Sequence, residues 1–404
     1  MSPSITATMP AQRVLLRIAP FTIIIFCIYL TIGMPLAAIP LQVHDVLGFN
    51  NLTVGSVIGL QSLVTLATRQ FAGILSDRWG AKLTVVLGGA GAILASAIYL
   101  ASAHPALSAP MSLWTLIGAR VVSGLAESLV MTGTLAWGIA AVGVQNTGKV
   151  MVWVGIGLYA AIAVGAPVGI HLMTAAHVLG GFADLSLGMV VVSALATVLA
   201  ALVTGVAPHG GERLAFLSVV GRIAPFGVGL ALATVAFAGI GAFAALDFQH
   251  NGWPGAGFVL FAFGAAYVFT RLVFGGWPDR FGGARVAAGS LLVECAGQVM
   301  LWLAPHPAVA FAGAALTGIG YALVFPSFGI EAVQRVPPAS RGAALGAYVA
   351  FFDVGFGLTG PLTGAIAGAF GYPFVFAAGA VGALVALLAA RRAPHRGRAD
   401  ATSA

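Results

Sequence analysis

The 404-residue sequence predicts an all-α membrane protein of twelve transmembrane helices, arranged as two pseudo-symmetric six-helix bundles. Three observations lead to this prediction. Only 7% of the residues are Asp, Glu, Lys or Arg and 60% are hydrophobic, whereas an ordinary soluble domain has about 25% charged residues. Apolar runs long enough to cross a bilayer recur along the whole chain, and short motifs of its first half return in its second half. The composition excludes a soluble enzyme.

The apolar runs define the helices in order. Crossing the hydrocarbon core takes about 20 apolar residues. The segments are too long and too uniformly apolar for barrel strands, so helices are expected. The first run is too long for a signal-peptide core and no small-residue cleavage site ends it. The approximate limits of the twelve runs are 18–41, 53–75, 83–102, 113–141, 149–174, 185–207, 223–246, 254–276, 285–303, 308–333, 343–369 and 372–390.

The basic residues predict the orientation of the chain. If the N-terminus is cytoplasmic, every Lys and Arg except Arg120 falls on the cytoplasmic side, and the outer loops hold none. Because cytoplasmic loops are enriched in Lys and Arg, both termini are expected to be cytoplasmic. The net charge of +7 then reports topology, and no nucleic-acid partner is expected.

An internal repeat divides the chain into two parallel halves. The segment Arg17–Phe21 (Arg-Ile-Ala-Pro-Phe) recurs word for word as Arg222–Phe226. Such a repeat is typical of proteins built from two similar bundles. The predicted domains are therefore a six-helix bundle at 1–207, a cytoplasmic linker at 208–221, and a second bundle at 222–404 that ends in a short cytoplasmic tail.

Two loops carry a resemblance to a known family. The segments Gly73–Lys82 and Gly275–Arg285 are related by the repeat, and both resemble the signature loop of the major facilitator superfamily. The resemblance implies a secondary transporter whose substrate lies at midplane between the halves. It also implies that this loop is a conformational gate, with candidate residues Gly73, Asp77, Arg78, Gly80, Gly275, Asp279, Arg280 and Gly282. Static ordering of the loop is the alternative.

A narrower resemblance involves fewer residues. The segments that carry it are similar to the YhhS-type subfamily of bacterial inner-membrane transporters, and they are Gly124–Ser128, Gly148–Met151, Arg341-Gly342, Phe352-Asp353 and Gly360-Pro361. The resemblance implies a multi-pass protein of the bacterial inner (plasma) membrane.

Three ionisable residues lie where charge is most costly, near the middle of spans. Glu127 and Arg120 are seven residues apart in the fourth span, so they share one helix face about 10 Å apart. Asp353 lies in the eleventh span. We expect Glu127 or Asp353 to carry a coupling proton, and Arg120 to modulate it or hold an anionic substrate group. The alternative is a buried ion pair or hydrogen-bonded carboxyl that only fixes helix packing.

The repeat relates the two acids to tyrosines. At an offset of 194 residues, Glu127 aligns with Tyr321 and Asp353 with Tyr159, so each half has one acid and one tyrosine. These tyrosines and Gln61 complete the proton and substrate candidates. A fourth acid, Glu294 in the ninth span, is expected to be structural, because Gln298 one turn on could hydrogen-bond it.

The predicted function is proton-coupled efflux, by antiport, of a small organic solute. Export is favoured because Gly165-Ala-Pro167 resembles the Gly-Pro motif of antiporters, although Ala166 interrupts it. A proton symporter or a facilitator that imports a small metabolite stays open. An intramembrane enzyme is disfavoured because the acids are dispersed singly, and a receptor because the middle linker is short. No cofactor or metal site is expected. The expected partners are a small-molecule substrate, protons and the lipid bilayer, and the protein is expected to be a monomer.

Overall fold

A computed structural model describes residues 11–175, 178–206, 216–336 and 341–391. Within these residues, twelve helices are long and apolar enough to cross a membrane, which confirms the predicted all-helical fold. The helices are α1 Ala11–Leu41, α2 Asn51–Trp79, α3 Ala81–Ser102, α4 Ala109–Val142, α5 Thr147–Thr174, α6 Phe182–Leu202, α7 Phe216–His250, α8 Gly257–Phe274, the short α9 Trp277–Phe281, α10 Gly283–Trp302, α11 Pro307–Gln334, α12 Arg341–Phe370 and α13 Pro373–Arg391.

Several helices extend beyond the apolar runs that predicted them. Helix α4 is 34 residues long and α7 is 35, well above the roughly 20 residues that span the hydrocarbon core. Helix α1 continues at its C-terminal end into a π-helical turn, Gln42–Val46. These extensions contain polar residues that a hydropathy pattern leaves outside a span.

The two related loops share one backbone feature. Gly80 precedes α3 with φ of 93°, and Gly282 precedes α10 with φ of 91°. A side chain is strongly disfavoured at such angles, so glycine is required for the turn between the helices. In each case the glycine carbonyl accepts from the amide four residues on, at Thr84 and Val286. The repeated glycines of the motif thus have a local structural reason.

The helices group into two units, residues 1–48 with 64–211 and residues 49–63 with 212–404. In the first unit, α1 packs on α5 and α6, while α3 packs on α4 and α6. In the second unit, α7 packs on α12 and α13, while α10 packs on α11 and α13. The same helix pairings therefore recur within each unit, as an internal duplication would produce.

The first half of α2 belongs to the second unit, where it meets α12 through glycines. A Cβ placed on Gly55 would lie 2.7 Å from the Gly360 carbonyl carbon, and one on Gly360 would lie 2.9 Å from the Gly59 amide nitrogen. A Cβ on Gly364 would similarly lie 3.1 Å from the Asn51 carbonyl carbon. Small residues let helix backbones approach this closely. We call Gly55, Gly59, Gly360 and Gly364 the glycine seam.

Candidate functional site

Glu127 of α4 lies in a hydrogen-bonded cluster of the first unit. Its side chain is half-buried, and its two carboxylate oxygens have separate partners. Tyr29 Oη of α1 donates to Oε1 at 3.1 Å, and Thr65 Oγ1 of α2 lies 3.2 Å from Oε2. The acid predicted from the sequence is thus held by two hydroxyl groups from two other helices.

Thr65 has a second acceptor, which gives the cluster its chemistry. The Thr65 side chain is buried, and its Oγ1 also lies 3.0 Å from the Gly124 carbonyl oxygen. A threonine hydroxyl has a single proton and can also accept. It can therefore donate to an ionised Glu127, or donate to Gly124 and accept from a protonated Glu127. The same heavy-atom positions suit both protonation states of the acid.

Arg120 lies on α4 with a different helix as neighbour. It is 2% exposed, and its Nη1 donates to Tyr99 Oη of α3 at 3.5 Å. Tyr99 is fully buried and packs edge-on against Phe182 of α6, with ring centroids 6.1 Å apart. The structure therefore brings Arg120 to Tyr99 of α3, and brings Glu127 to α1 and α2.

The other predicted proton and substrate residues are buried, and they are divided between the two units. Tyr159 of α5 belongs to the first unit, whereas Gln61, Tyr321 and Asp353 belong to the second. Tyr321 Oη lies 3.2 Å from Thr234 Oγ1 of α7. Because Thr234 itself donates to the Leu230 carbonyl at 2.8 Å, the Tyr321 hydroxyl is the donor between the two side chains.

The candidate gate residues lie at helix ends. Asp77, Arg78, Asp279 and Arg280 are exposed. Asp279 is in the first turn of the short α9, where an acidic side chain is favourable because of the helix dipole. The guanidinium of Arg280 lies 5.4 Å from the centre of the Phe281 ring.

The expected hydrogen bond between Glu294 and Gln298 is wrong. Gln298 Nε2 donates instead to Thr317 Oγ1 of α11 at 3.2 Å. Glu294 is fully buried, and among the described residues neither of its carboxylate oxygens has a hydrogen-bond partner. An ionised carboxylate in such surroundings is very costly, so the neutral acid is the form that suits this position.

Sequence reasoning missed several residues of these clusters. Tyr29 and Thr65 are polar residues inside long apolar runs, and nothing in their spacing showed that they face Glu127. Arg271 was grouped with the basic residues that mark the cytoplasmic side, yet it is only 5% exposed. A signal did exist for Arg271: Pro326 within α11 leaves the Ala322 carbonyl without its usual helical donor, and Arg271 Nη1 donates to that carbonyl at 2.9 Å.

Comparison with solved structures supports the fold. The chain is similar to the D-xylose–proton symporter, with a TM-score of 0.76 and 11% identity over 94% of this chain and 98% of that one. It is also similar to the nucleoside transporter NupG, with a TM-score of 0.71 and 15% identity over 93% of this chain and 98% of that one. At such low identity, these likenesses establish the fold alone.

Sequence comparison gives the family. An uncharacterized MFS-type transporter of Burkholderia mallei (strain SAVP1) is 45% identical over 94% of this chain and 92% of its own length. Another from Pseudomonas aeruginosa (strain LESB58) is 42% identical over 98% of this chain and 100% of its own length. The Major Facilitator Superfamily profile matches residues 21–248 and 226–404. The chain therefore belongs to the Major Facilitator Superfamily, as a multi-pass secondary transporter of a small molecule and not an enzyme.

Proposed function

We propose that the protein is a proton-coupled antiporter that exports a small organic solute by alternating access. The Glu127 cluster is the observation that carries this proposal. A coupling acid must exist both with and without its proton, and a charge inside the bilayer needs partners or a water-filled cavity. Tyr29 and Thr65 supply hydroxyl partners to the ionised form, and Thr65 can turn its proton to Gly124 when Glu127 is protonated.

The remaining candidates take supporting roles in this proposal. Asp353 is the alternative proton carrier, and Arg120 modulates the protonation of Glu127 or holds an anionic group of the solute. Tyr159, Tyr321 and Gln61 are substrate contacts. The motif residues around Asp77 and Asp279 form the conformational gate. The interrupted Gly165-Ala-Pro167 motif favours export, and import by proton symport or facilitated diffusion is the alternative.

The finer assignments of location and grouping belong to the same proposal. We place the protein in the YhhS-type subfamily, as a monomer in a bacterial inner membrane with both termini cytoplasmic. The division into six-helix bundles at 1–207 and 222–404 is proposed as the unit of alternating access. Of the predicted linker at 208–221, residues 208–215 lie outside the described residues and residues 216–221 are the first turns of α7. The restriction of Lys and Arg, except Arg120, to one side supports this topology.

Everted membrane vesicles provide the test of antiport. Respiration acidifies the vesicle interior and quenches acridine orange, and an exported solute added outside should dissipate the pH gradient and restore fluorescence. A panel of metabolites and drugs is screened on vesicles that contain the protein, and vesicles that lack the protein are the control. For an active solute, Glu127→Gln should abolish the recovery while the purified variant still binds the solute in a thermal-shift assay.

A matched control removes a carboxylate elsewhere. Glu331 belongs to the second unit, and its Oε1 accepts from the Ala284 amide at 3.0 Å, so Glu331→Gln should keep the fluorescence recovery. Asp353→Asn is measured in parallel to decide which acid carries the proton. Wild-type recovery in both Glu127→Gln and Asp353→Asn would overturn proton coupling through these acids. Solute uptake that requires an inward proton gradient would replace export by symport.

A further inference from the structure

Arg271 is a permanent charge buried in the second unit. It lies near the end of α8 and is 5% exposed. Arginine stays protonated in proteins, so it cannot escape the cost of burial by losing a proton, whereas a carboxyl group can escape it by gaining one. A buried cation inside a membrane-spanning segment is expensive and needs partners.

The protein supplies Arg271 with neutral partners. Nη1 donates to the Ala322 carbonyl of α11 at 2.9 Å, and Pro326 explains why that carbonyl is available, since proline has no amide proton to donate four residues back. The guanidinium carbon lies 5.8 Å from the centre of the Tyr267 ring, within the range of a cation–π interaction.

One edge of the Arg271 guanidinium has no acceptor among the residues that the structure describes. Among the described residues, Arg271 forms no ion pair, and its buried Nε has no hydrogen-bond partner. The planar guanidinium presents its donors as a fork that matches the two oxygens of a carboxylate. With Nη1 engaged by Ala322, the Nε–Nη2 edge keeps the donor arrangement that binds a carboxylate side-on. The Nε–Nη2 edge of Arg271 therefore has the donors that an anion needs, and no anionic side chain among the described residues pairs with it.

The Tyr267 ring beside Arg271 belongs to a group of buried aromatic side chains. Tyr267, Tyr321 and Tyr348 are all buried, and the Tyr267 and Tyr321 ring centroids are 6.2 Å apart. Phe237 of α7 extends the group, 5.9 Å from Tyr321 at an interplanar angle of 30°. Tyr348 Oη donates to the Phe325 carbonyl at 2.9 Å, next to the proline that frees the Ala322 carbonyl. Planar apolar groups pack favourably against such rings.

We propose that Arg271 binds the anionic group of the transported solute, which leaves Arg120 the role of modulating Glu127, and that the solute is an organic anion with an aromatic body. This substrate class rests on the proposed export function, whereas the binding site itself does not. A soluble acid is favoured over a lipid headgroup because the guanidinium is buried beside Tyr267, whose ring packs against the buried rings of Phe263 and Tyr321.

The test measures binding to the purified full-length protein. Benzoate, 4-hydroxybenzoate and 1-naphthoate are compared with their neutral amides by thermal shift and titration in detergent. We expect the carboxylates to stabilise the wild type and the amides to have little effect. Arg271→Gln should weaken carboxylate binding at least about tenfold, and Arg271→Lys should recover part of it, because lysine keeps the charge but not the fork.

Arg335→Gln is the matched control. Arg335 is exposed, and its guanidinium also lies over an aromatic ring, 5.2 Å from the centre of Phe226, so this variant makes the same charge change outside the proposed site. It should bind carboxylates as the wild type does. Equal binding of carboxylates and amides, or equal binding in Arg271→Gln and wild type, would overturn the proposal. Phosphatidylglycerol is added in a separate titration, and a thermal stabilisation of the protein by this lipid but by none of the carboxylates would also overturn the proposal.

A second measurement covers the case in which Arg271→Gln fails to fold. Phenylglyoxal modifies arginine, and mass spectrometry of the wild type reports the modification of Arg271. Benzoate should protect Arg271 and benzamide should not, and equal modification with both would contradict the site. Arg271-dependent binding without proton-driven flux would refute the proposed function and leave the site standing. Proton-driven flux of other solutes without carboxylate binding would refute the Arg271 site and leave the proposed function standing.

Discussion

Replacement of Gly360 by alanine should destabilise the protein, because the glycine seam has no room for a methyl group. A Cβ at this position would lie 2.9 Å from the Gly59 amide nitrogen and 3.0 Å from the Gly59 α-carbon, and closer still to the Gly55 carbonyl oxygen. All of these atoms belong to backbone. No side chain can rotate away, so α2 and α12 would have to separate.

The size of the effect can be worked out from two opposing contributions. Forcing a methyl group into a packed contact costs about 1–3 kcal/mol. Alanine gains at most about 1 kcal/mol over glycine through its higher helix propensity. A methyl group added to Gly368, on the same helix, would meet nothing within 4 Å. Gly368→Ala should therefore gain helix propensity without any packing cost. The two variants should differ by about 2 kcal/mol in free energy of unfolding, or about thirtyfold in the unfolding equilibrium.

Thermal unfolding of the purified variants in one detergent is the assay, with wild type alongside. The midpoint of Gly360→Ala should fall below that of the wild type, and that of Gly368→Ala should match or exceed it. Gly55→Ala should resemble Gly360→Ala, and the double variant should cost less than the sum, because one separation of the helices accommodates both methyl groups. Equal midpoints for Gly360→Ala and Gly368→Ala would refute the close packing.

Three further predictions concern single side chains. Thr65→Val should lower proton-driven flux in proteoliposomes about tenfold or more, because a hydrogen bond to a charged group contributes about 1.5–3 kcal/mol. Thr68→Val should keep wild-type flux, because the Thr68 hydroxyl donates to the Val64 carbonyl of its own helix. Equal losses of flux in the two variants would contradict the role proposed for the Glu127 cluster. Gly80→Ala should lower the thermal midpoint, since its φ of 93° costs a side chain about 1–2 kcal/mol, whereas Gly73→Ala, with nothing within 4 Å, should not. Glu294→Gln should stay within about 1 kcal/mol of the wild type, because the carboxyl group has no hydrogen-bond partner among the described residues to lose. Glu294→Lys should fail to give a monodisperse protein in size-exclusion chromatography.

The fold was predictable because the features that determine it, the apolar runs and the repeated motifs, are visible in the sequence. Twelve apolar runs indicate twelve spans since lipid leaves the backbone few alternatives to a helix. The recurrence of Gly80 as Gly282 also has a physical cause, as both adopt positive φ at the same kind of turn. The helix ends were less predictable, because α4 and α7 continue past the apolar segments.

The candidate site was predictable only for residues whose chemistry is conspicuous in an apolar span. Glu127 stands out because a carboxylate is costly there, but its partners Tyr29 and Thr65 do not. A hydroxyl group can satisfy itself on its own helix backbone, as Thr68 does. Which hydroxyl groups instead turn to a neighbouring helix depends on the packing, and one sequence does not contain that information.

The half-buried Glu127 and the buried Glu294 and Arg271 show why acids and arginines suit different tasks in this chain. A carboxyl group can lower its cost of burial by taking up a proton, so Glu294 can remain without a hydrogen-bond partner among the described residues, and Glu127 can alternate between two hydrogen-bond arrangements with Thr65. Arg271 has no such choice, because its guanidinium keeps its charge. A carbonyl freed by Pro326 and a tyrosine ring lower that cost without cancelling the charge. We therefore expect the acids, and not Arg271, to carry protons, whereas the fixed positive charge suits an anion that binds and dissociates.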